Sequence, residues 1–412
     1  MTSVYGGCSQ DDDIALHEAY GKIVRISPNT LSISDPAEIN RIHGLGTKFI
    51  KSKFYSLAED YDGEGVVPDP FILTDRRLHS RMKRSAANAY SLNILIKLEP
   101  CIASVTDRLV EKLKGYAKEE TTSVEVASLM QAYAMDAVFA LTFGKDFNHM
   151  DGGDHLQLFR TAKLGSDYMA IFGQIAWIHP YLLGNPWIAK WFFGDQGILK
   201  MMELCYSEIV AGQDRTSDEG PMTFLQRLVL NQRQNLSSLT DRELMTHAFN
   251  NIAAGSDTTA TALRSVIYNT LRHPEVHEKL KAELRSTLSY PVDFATTNKL
   301  PYLSAVIKES IRVHPSVGML LARVVPEGGA EICGHYIASG VEVGVNPWVV
   351  HRDAAVYAEP HRFYPDRWLT SVSSEEDLTL MNRSFIPFGH GAHTLEAMIF
   401  EAEASVEDQK GM

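Results

Sequence analysis

Apolar and polar residues alternate with the period of an α-helix over most of this chain. The clearest helical segment lies between Thr240 and Pro274. Thr240 followed by Glu243 is a capping box, which predicts that a helix begins there, and Pro274 predicts where it ends. A helix of about 33 residues would be about 50 Å long, enough to cross a whole domain. We therefore expect residues 241–273 to form one long central helix.

The alternating pattern of β-strands occurs near both ends of the chain. Residues 22–35 contain two alternating apolar runs separated by Pro28 and Asn29, which predicts a β-hairpin. A short helix is predicted before it, over 14–22, and strands return only near 330–346. Mostly helix with a small β part is an α+β arrangement, and this is the fold class that we predict.

The middle of the central helix has an unusual composition. Gly255, Ser256, Asp257, Thr258 and Thr259 combine a flexible glycine, an acid and three hydroxyl groups. Glycine weakens a helix, and the hydroxyls compete for carbonyls four residues back. Taken alone, the cluster favours a packing kink made by small residues. The alternative is a groove in the helix wall, where the acid and the alcohol after it pass protons to a bound molecule.

A strongly basic segment begins the helix predicted over 75–98. His79 and Lys83 are four residues apart and share one face of this helix. The residues alone favour a solvated basic face. The alternative is a clamp for carboxylates or phosphates.

A further helix is predicted between Leu300 and Pro315, because Pro301 suits its first turn and Pro315 ends it. Glu309 and Arg312 are three residues apart and share one face of it. Taken alone, they predict a surface ion pair worth under about 1 kcal/mol.

Composition excludes several classes of protein. The 412 residues are 45% hydrophobic and carry a net charge of −12, which argues against nucleic-acid binding. The four cysteines, Cys8, Cys101, Cys205 and Cys333, have no paired spacing, so neither a disulfide framework nor a zinc site is predicted. No apolar run approaches the roughly 20 residues of a membrane span, and the N-terminus is too polar for a signal peptide. The chain as written is predicted to be soluble and cytoplasmic.

Four motifs in the second half of the chain together resemble the signature of cytochromes P450. In order, they are Ala254-Gly-Ser-Asp-Thr-Thr259, Glu309-x-x-Arg312, Pro365-Asp-Arg-Trp368 and Phe388-Gly-His-Gly-Ala-His393. Each motif alone is a weak or moderate signal, whereas four in this order and spacing are highly specific. The resemblance covers about residues 14–394. Four further stretches look like fungal P450s of secondary metabolism such as pisatin demethylases: Leu16-His-Glu-Ala-Tyr-Gly21, Val24-Arg-Ile-Ser-Pro-Asn29, Lys48-Phe-Ile-Lys-Ser52 and Ala87-Asn-Ala-Tyr-Ser-Leu92.

The resemblance implies a P450 fold with an incomplete C-terminal region, in a single domain over 1–412. We expect a polar start at 1–13, a P450-like body at 14–394 and a divergent tail at 395–412. The implied activity is that of a monooxygenase with haem b as cofactor and an apolar small molecule as substrate. A full-length parent would be anchored in the endoplasmic reticulum membrane and reduced by an NADPH-dependent P450 reductase.

The resemblance also implies roles for individual residues. Asp257 and Thr258 match the acid and alcohol that deliver protons during oxygen activation. Glu309, Arg312 and Arg367 match a buried ion network beneath the haem, which would lose several kcal/mol on removal of one partner. The residues that match contacts to the haem propionates are His79, Lys83, Arg323 and His393, and those that match the glycine loop are Phe388, Gly389 and Gly391.

One position departs from the family pattern where the chemistry depends on it. The family has its iron-binding cysteine two residues after His393, and this chain has Leu395 there. Leucine has no donor atom, so no metal ligand is assigned. Without the thiolate that favours O–O cleavage, we expect weak or absent haem binding and impaired activity. Two interpretations stay open: a truncated or mis-spliced monooxygenase, or a thiolate-free P450-fold protein that binds a ligand or catalyses a non-redox reaction.

Overall fold

The computed structural model is mainly helical with a small β part, which confirms the predicted fold class. It describes residues 6–59, 61–62, 65–118, 123–154, 157–183, 185, 187–188, 191, 198–212, 221–234, 239–287 and 292–391. The helices within these ranges are Ser9–Tyr20, Ile39–His43, Arg76–Ala87, Leu92–Lys118, Val126–Phe143, His149–Gly152, Leu158–Phe172, Ile198–Gly212, Phe224–Arg233, Asp241–Arg272, Pro274–Thr287, Phe294–Thr297, Pro301–Val313, Pro347–Val350 and Glu375–Ser384.

Contacts between residues divide the described chain into two units. The first unit contains the residues up to Phe54 and those from Ala262 onward, and the second contains Tyr55–Thr261. The boundary falls inside the long helix Asp241–Arg272. The single domain over 1–412 stays a prediction.

The first unit contains a sheet that joins the N-terminal hairpin to strands from late in the chain. The order of its strands is β1 (Ile23–Ser27), β2 (Thr30–Ile33), β9 (Glu342–Val345), β6 (Arg323–Val324) and β3 (Ile50–Lys51). Strands β2 and β9 are parallel, and the other neighbours are antiparallel. The turn at Pro28 and Asn29 confirms the predicted hairpin. The pairing places Arg323 opposite both Lys51 and Val343. The strands are β1 Ile23–Ser27, β2 Thr30–Ile33, β3 Ile50–Lys51, β4 Tyr61–Asp62, β5 Gly65–Val66, β6 Arg323–Val324, β7 Ala330–Ile332, β8 His335–Ile337 and β9 Glu342–Val345.

The predicted central helix is confirmed as Asp241–Arg272. The backbone N–H of Thr240 donates to Glu243 Oε2 at 2.9 Å, and the backbone N–H of Glu243 donates to Thr240 Oγ1 at 3.2 Å. This reciprocal pair is the capping box that the sequence predicted. The next helix begins directly at Pro274.

The single helix predicted over 75–98 is wrong. The first helix spans Arg76–Ala87, and a second helix begins at Leu92. Between them Ser91 has an extended backbone, with φ −70° and ψ 151°. Pro100 lies inside this second helix, Leu92–Lys118. The helix therefore breaks at Ser91, where the backbone is extended, and it continues through Pro100, although a proline beyond the first turn weakens a helix.

Val126–Phe143 is the one helix in the described ranges that is long and apolar enough to cross a membrane. Its 18 residues have a mean hydropathy of 1.4, and 78% of them are buried inside the protein. Core helices of soluble proteins have the same length and composition, so this is weak evidence for a span.

Candidate functional site

Glu309, Arg312 and Arg367 form a buried ion network in the first unit. The side chains of Glu309 and Arg312 are 0% exposed and that of Arg367 is 5% exposed. Arg312 donates Nε and Nη2 to the Glu309 carboxylate at 2.9 and 2.8 Å, and Arg367 Nε donates to it at 3.2 Å. The prediction of a surface ion pair, which the residues alone favoured, is therefore wrong, because both side chains are buried.

The network also holds the irregular segment that follows β9. Arg312 Nη1 donates to the carbonyls of His351 and Pro360 at 2.7 and 2.8 Å. Trp368 Nε1 donates to Glu309 Oε2, and the backbone N–H of Tyr364 donates to Glu309 Oε1, both at 2.9 Å. Sequence reasoning gave Trp368 no role, although it stands in the motif that contains Arg367.

The charges in this network favour an ionised glutamate. Burial alone would raise the pKa of Glu309, but the hydrogen bonds and charge of Arg312, with the charge of Arg367, outweigh it. The pKa of Glu309 therefore lies below its usual value of 4.5.

Asp257 and Thr258 lie in the part of the central helix that belongs to the second unit. Gln131, on the helix Val126–Phe143, donates its side-chain amide to Asp257 Oδ1. Thr258 Oγ1 donates to the carbonyl of Ala254 at 2.8 Å, the bond four residues back that the sequence suggested. Both side chains therefore already have partners in the chain.

Gly255 explains how closely two helices pack in the second unit. A Cβ on Gly255 would lie 3.0 Å from Val138 Cγ2. Ser256 beside it is fully buried, and its Oγ has no hydrogen-bond partner among the described residues. This packing is what the small-residue interpretation of the segment requires.

The basic segment around His79 divides into groups with different surroundings. Asp75 caps its helix by accepting from the backbone N–H groups of Arg77 and Leu78 at 2.7 and 3.1 Å. His79 is buried, whereas the fully solvated face favoured from the residues alone would leave it exposed. Lys83 is partly exposed. Arg81, which the sequence did not single out, forms an ion pair with the buried Glu243 of the capping box.

The glycine loop lies in the first unit, and Phe388 in it is partly buried. Gly389 and Gly391 have φ of 85° and 71°, the left-handed region that favours glycine. A Cβ on Gly391 would lie 2.1 Å from the carbonyl oxygen of His43. At Gly391 the loop backbone therefore lies close to another part of the chain, the end of the helix Ile39–His43. Ala392, His393 and Leu395 lie outside the described residues.

Beside this loop lies a histidine that sequence reasoning missed. His43, the last residue of the helix Ile39–His43, is 2% exposed. Neither of its ring nitrogens has a hydrogen-bond partner within the described part of the chain. Burial, and then the charges of Arg323 and His390, hold the pKa of His43 well below its usual value. A lone histidine at a helix end carries no sequence signal, so only the fold shows its position.

Comparison with known families decides what this framework is. The sequence model of the family described as cytochrome P450 matches residues 7–394. The chain belongs to the cytochrome P450 family. The resemblance stated from the four motifs is thereby confirmed.

Relatives of this P450 are fungal enzymes. A cytochrome P450 monooxygenase of Aspergillus terreus is 31% identical over 403 residues, which are 94% of this chain and 80% of the relative. The cytochrome P450 monooxygenase cicH of Emericella nidulans is 32% identical over 390 residues, 91% of this chain and 76% of the relative. Pisatin demethylase of Fusarium vanettenii is 30% identical over 361 residues, 86% and 70% of the two chains.

Membership of the P450 family implies haem, and the residues present fit one part of that group. Arg323 is 4% exposed, and its positive charge lowers the pKa of the nearby His43 imidazole, which has no hydrogen-bond partner among the described residues. A buried cation and an unpaired donor suit the carboxylates of a porphyrin. Arg323 Nη1 also donates to the carbonyl of Ala322 at 2.9 Å, which fixes one side of the guanidinium.

The iron-ligand side of the group does not fit. Leu395 has no donor atom. Burial raises the pKa of Cys205 to about 12 and that of Cys333 to about 11, so both are thiols near neutral pH. Cys333, predicted within a strand, lies in the turn between β7 and β8 with a φ of 47°. In the described ranges, no three His, Cys, Asp or Glu side chains are arranged to hold a metal ion.

Proposed function

We propose that this chain has the protein framework of a P450 monooxygenase for an apolar small molecule, and that it does not oxidise that molecule as written. The observation that carries the proposal is the complete buried network of Glu309, Arg312 and Arg367, in a chain with Leu395 at the ligand position. The network supports a preserved family fold. The leucine removes the donor on which the oxidation depends.

The proton-delivering role of Asp257 and Thr258 is part of this proposal. In the family, thiolate-bound haem supplies the oxygen activation, and these two side chains hold the protons. In this chain Gln131 donates to Asp257, and Thr258 donates to the Ala254 carbonyl. The Thr258 hydroxyl must leave the Ala254 carbonyl before it donates its proton to a ligand.

The relatives support a proposal for the substrate class and the partners. Pisatin demethylase acts on pisatin, as its name states, and we propose a small apolar molecule of fungal secondary metabolism for this chain. An active parent with a cysteine at 395 would be reduced by an NADPH-dependent P450 reductase. Its place in the endoplasmic reticulum membrane, and the cytoplasmic location of this chain, stay predictions. The roles of His79, Lys83 and His393 at the haem propionates stay part of the same proposal.

A second candidate function is a thiolate-free protein that binds a porphyrin or another carboxylate ligand. The observation that favours it is the buried, unpaired His43 beside Arg323, which depends on no residue at 395. Such a protein would bind its ligand without redox chemistry.

The test is the reduced carbon monoxide difference spectrum of the purified chain with added haemin. We expect no thiolate-type band. A thiolate-type band would show that Cys8, Cys101, Cys205 or Cys333 reaches the iron, and it would overturn the proposal. An imidazole-type band would favour the second function, because a histidine would then hold the iron.

A further inference from the structure

We propose that His43 is a carboxylate-binding residue, which takes one propionate of a bound porphyrin together with Arg323. The proposal deepens the function proposed above, since it assumes that a porphyrin is the ligand. It concerns only the carboxylate side of that ligand and is independent of which residue, if any, binds iron.

The first observation is that His43 is buried without a partner. Its side chain is 2% exposed, and neither Nδ1 nor Nε2 has a hydrogen-bond partner in the ranges that the structure describes. Leaving such a group unsatisfied destabilises the folded protein. Buried polar atoms in native proteins nearly always have hydrogen-bond partners, so a buried atom without one indicates that a bound ligand supplies the partner. A ligand carboxylate would accept the proton that one ring nitrogen carries.

The second observation is that the backbone of His43 is fixed on two sides. Its carbonyl oxygen would lie 2.1 Å from a Cβ on Gly391, so the helix end and the glycine loop are in tight contact. On the other side, Ile39 and Ile42 of the same short helix are buried in the apolar core with Val343 of β9. The backbone that carries the imidazole is therefore fixed before a ligand arrives, which lowers the entropy cost of binding.

The third observation is the charge around the imidazole. The charged groups that act on His43 are Arg323 and His390, and both are neutral or positive. Arg323 is itself buried, with Lys51 opposite it across the sheet. A carboxylate placed between His43 and Arg323 would gain a charge-assisted hydrogen bond from the guanidinium and one from the imidazole. The surroundings thus favour an anion and disfavour a cation.

The test uses metal-free protoporphyrin IX, which has both propionates but no iron, and its dimethyl ester, which has neither carboxylate. Binding to the purified chain is measured by fluorescence quenching. His43→Leu should weaken binding of the free acid about tenfold or more, since a hydrogen bond to a charged group is lost. Binding of the dimethyl ester should be unchanged. His43→Gln, which keeps a donor, should retain most of the affinity for the free acid.

His335→Leu is the matched control, because His335 is exposed on β8 and should alter neither affinity. Equal losses for the free acid and the ester in His43→Leu would show that His43 only packs, and would overturn the proposal. No loss for either ligand would overturn it as well. Circular dichroism of each variant separates these results from a failure to fold.

A further arm distinguishes the porphyrin from small anions. If sodium acetate or inorganic phosphate alone shifts the His43 imidazole NMR signals as the free acid does, the site is a general anion site and the porphyrin assignment fails. If the wild-type chain binds no protoporphyrin IX, the His43 proposal fails. The proposed monooxygenase framework survives both results, since it is overturned only by a thiolate-type band in the carbon monoxide spectrum.

Discussion

The indole Nε1 of Trp368 donates to Glu309 Oε2 at 2.9 Å, and both side chains are buried. That oxygen also accepts from Arg312 Nε at 2.9 Å. The second carboxylate oxygen accepts from Arg312, Arg367 and the backbone of Tyr364. One glutamate thus satisfies donors from the helix Pro301–Val313 and from the segment around Pro365–Trp368.

Removal of either end of the central ion pair should be severe. Glu309→Ala leaves the buried cations Arg312 and Arg367 without their carboxylate, and Arg312→Ala removes the two shortest ionic contacts of the buried Glu309. We expect each to lose about 3–5 kcal/mol in the free energy of unfolding, or to give no soluble protein. Chemical denaturation measures it. Glu359→Ala is the control, because its pair with Arg362 is exposed and worth under about 1 kcal/mol. A Glu309→Ala protein within about 0.5 kcal/mol of the parent would contradict the buried network.

The indole hydrogen bond can be tested by itself. Trp368→Phe keeps an aromatic ring near Tyr357 and Phe385 but leaves Glu309 short of one donor. We expect a loss of about 1–3 kcal/mol in unfolding free energy. Trp348→Phe is the matched control, since the buried Nε1 of Trp348 has no partner in the described structure. Equal losses in the two variants would assign the effect to ring volume alone.

Stability should depend on pH through His351. Its ring is fully buried, and burial followed by the charge of Arg312 lowers its pKa from 6.5 to about 3. Between these values the unfolded chain binds a proton that the native chain does not, so stability falls as pH is lowered. The contribution is about 2 kcal/mol between pH 7 and pH 5.

Urea unfolding of the parent, His351→Gln and His335→Gln at the two pH values measures this contribution. In the parent, the backbone N–H of Ile386 donates to His351 Nε2 at 3.0 Å. In His351→Gln, the side-chain oxygen of the glutamine can accept this hydrogen bond. Glutamine does not titrate, so His351→Gln should lose less stability on acidification than the parent. His335→Gln, at an exposed site, should behave as the parent. An unchanged pH dependence in His351→Gln would refute the assignment.

The glycine loop should tolerate no side chain at 391. Gly391→Ala places a Cβ 2.1 Å from the carbonyl oxygen of His43, at a φ of 71°. We expect a loss of about 3 kcal/mol or more in unfolding free energy. Gly340→Ala has a similar φ of 83° with no atom within 4 Å, so it should lose only about 1–2 kcal/mol from backbone strain. Thermal melts of both variants give the comparison.

Local signals in the sequence predicted the local parts of this fold. The capping box at Thr240 and Glu243 and the turn at Pro28 and Asn29 each involve residues close together in the chain, and each prediction is confirmed. The break at Ser91 was missed because no strong helix breaker marks it. The two-residue strands β3, β4 and β5 are too short to show alternation.

Long-range contacts explain the rest of the difference. From the residues alone, Glu309 and Arg312 predicted a surface pair. Their burial involves Arg367, which lies 58 positions after Glu309 and cannot be associated with it from local sequence. The family resemblance assigned them to one network with Arg367, and the three side chains are hydrogen-bonded in the structure. It gave no role to His43, whose importance comes from Arg323 and Gly391, both far along the chain.

Glu243 caps the central helix and also forms the ion pair with Arg81. Asp257 lies about four helical turns further on, where Gln131 donates to it. The second unit therefore fixes the register of this helix at two points, and a slip by one residue would break both. In chimaeras with related P450s, residues 81 and 131 should be transferred together with the central helix, because both residues make their contacts to that helix.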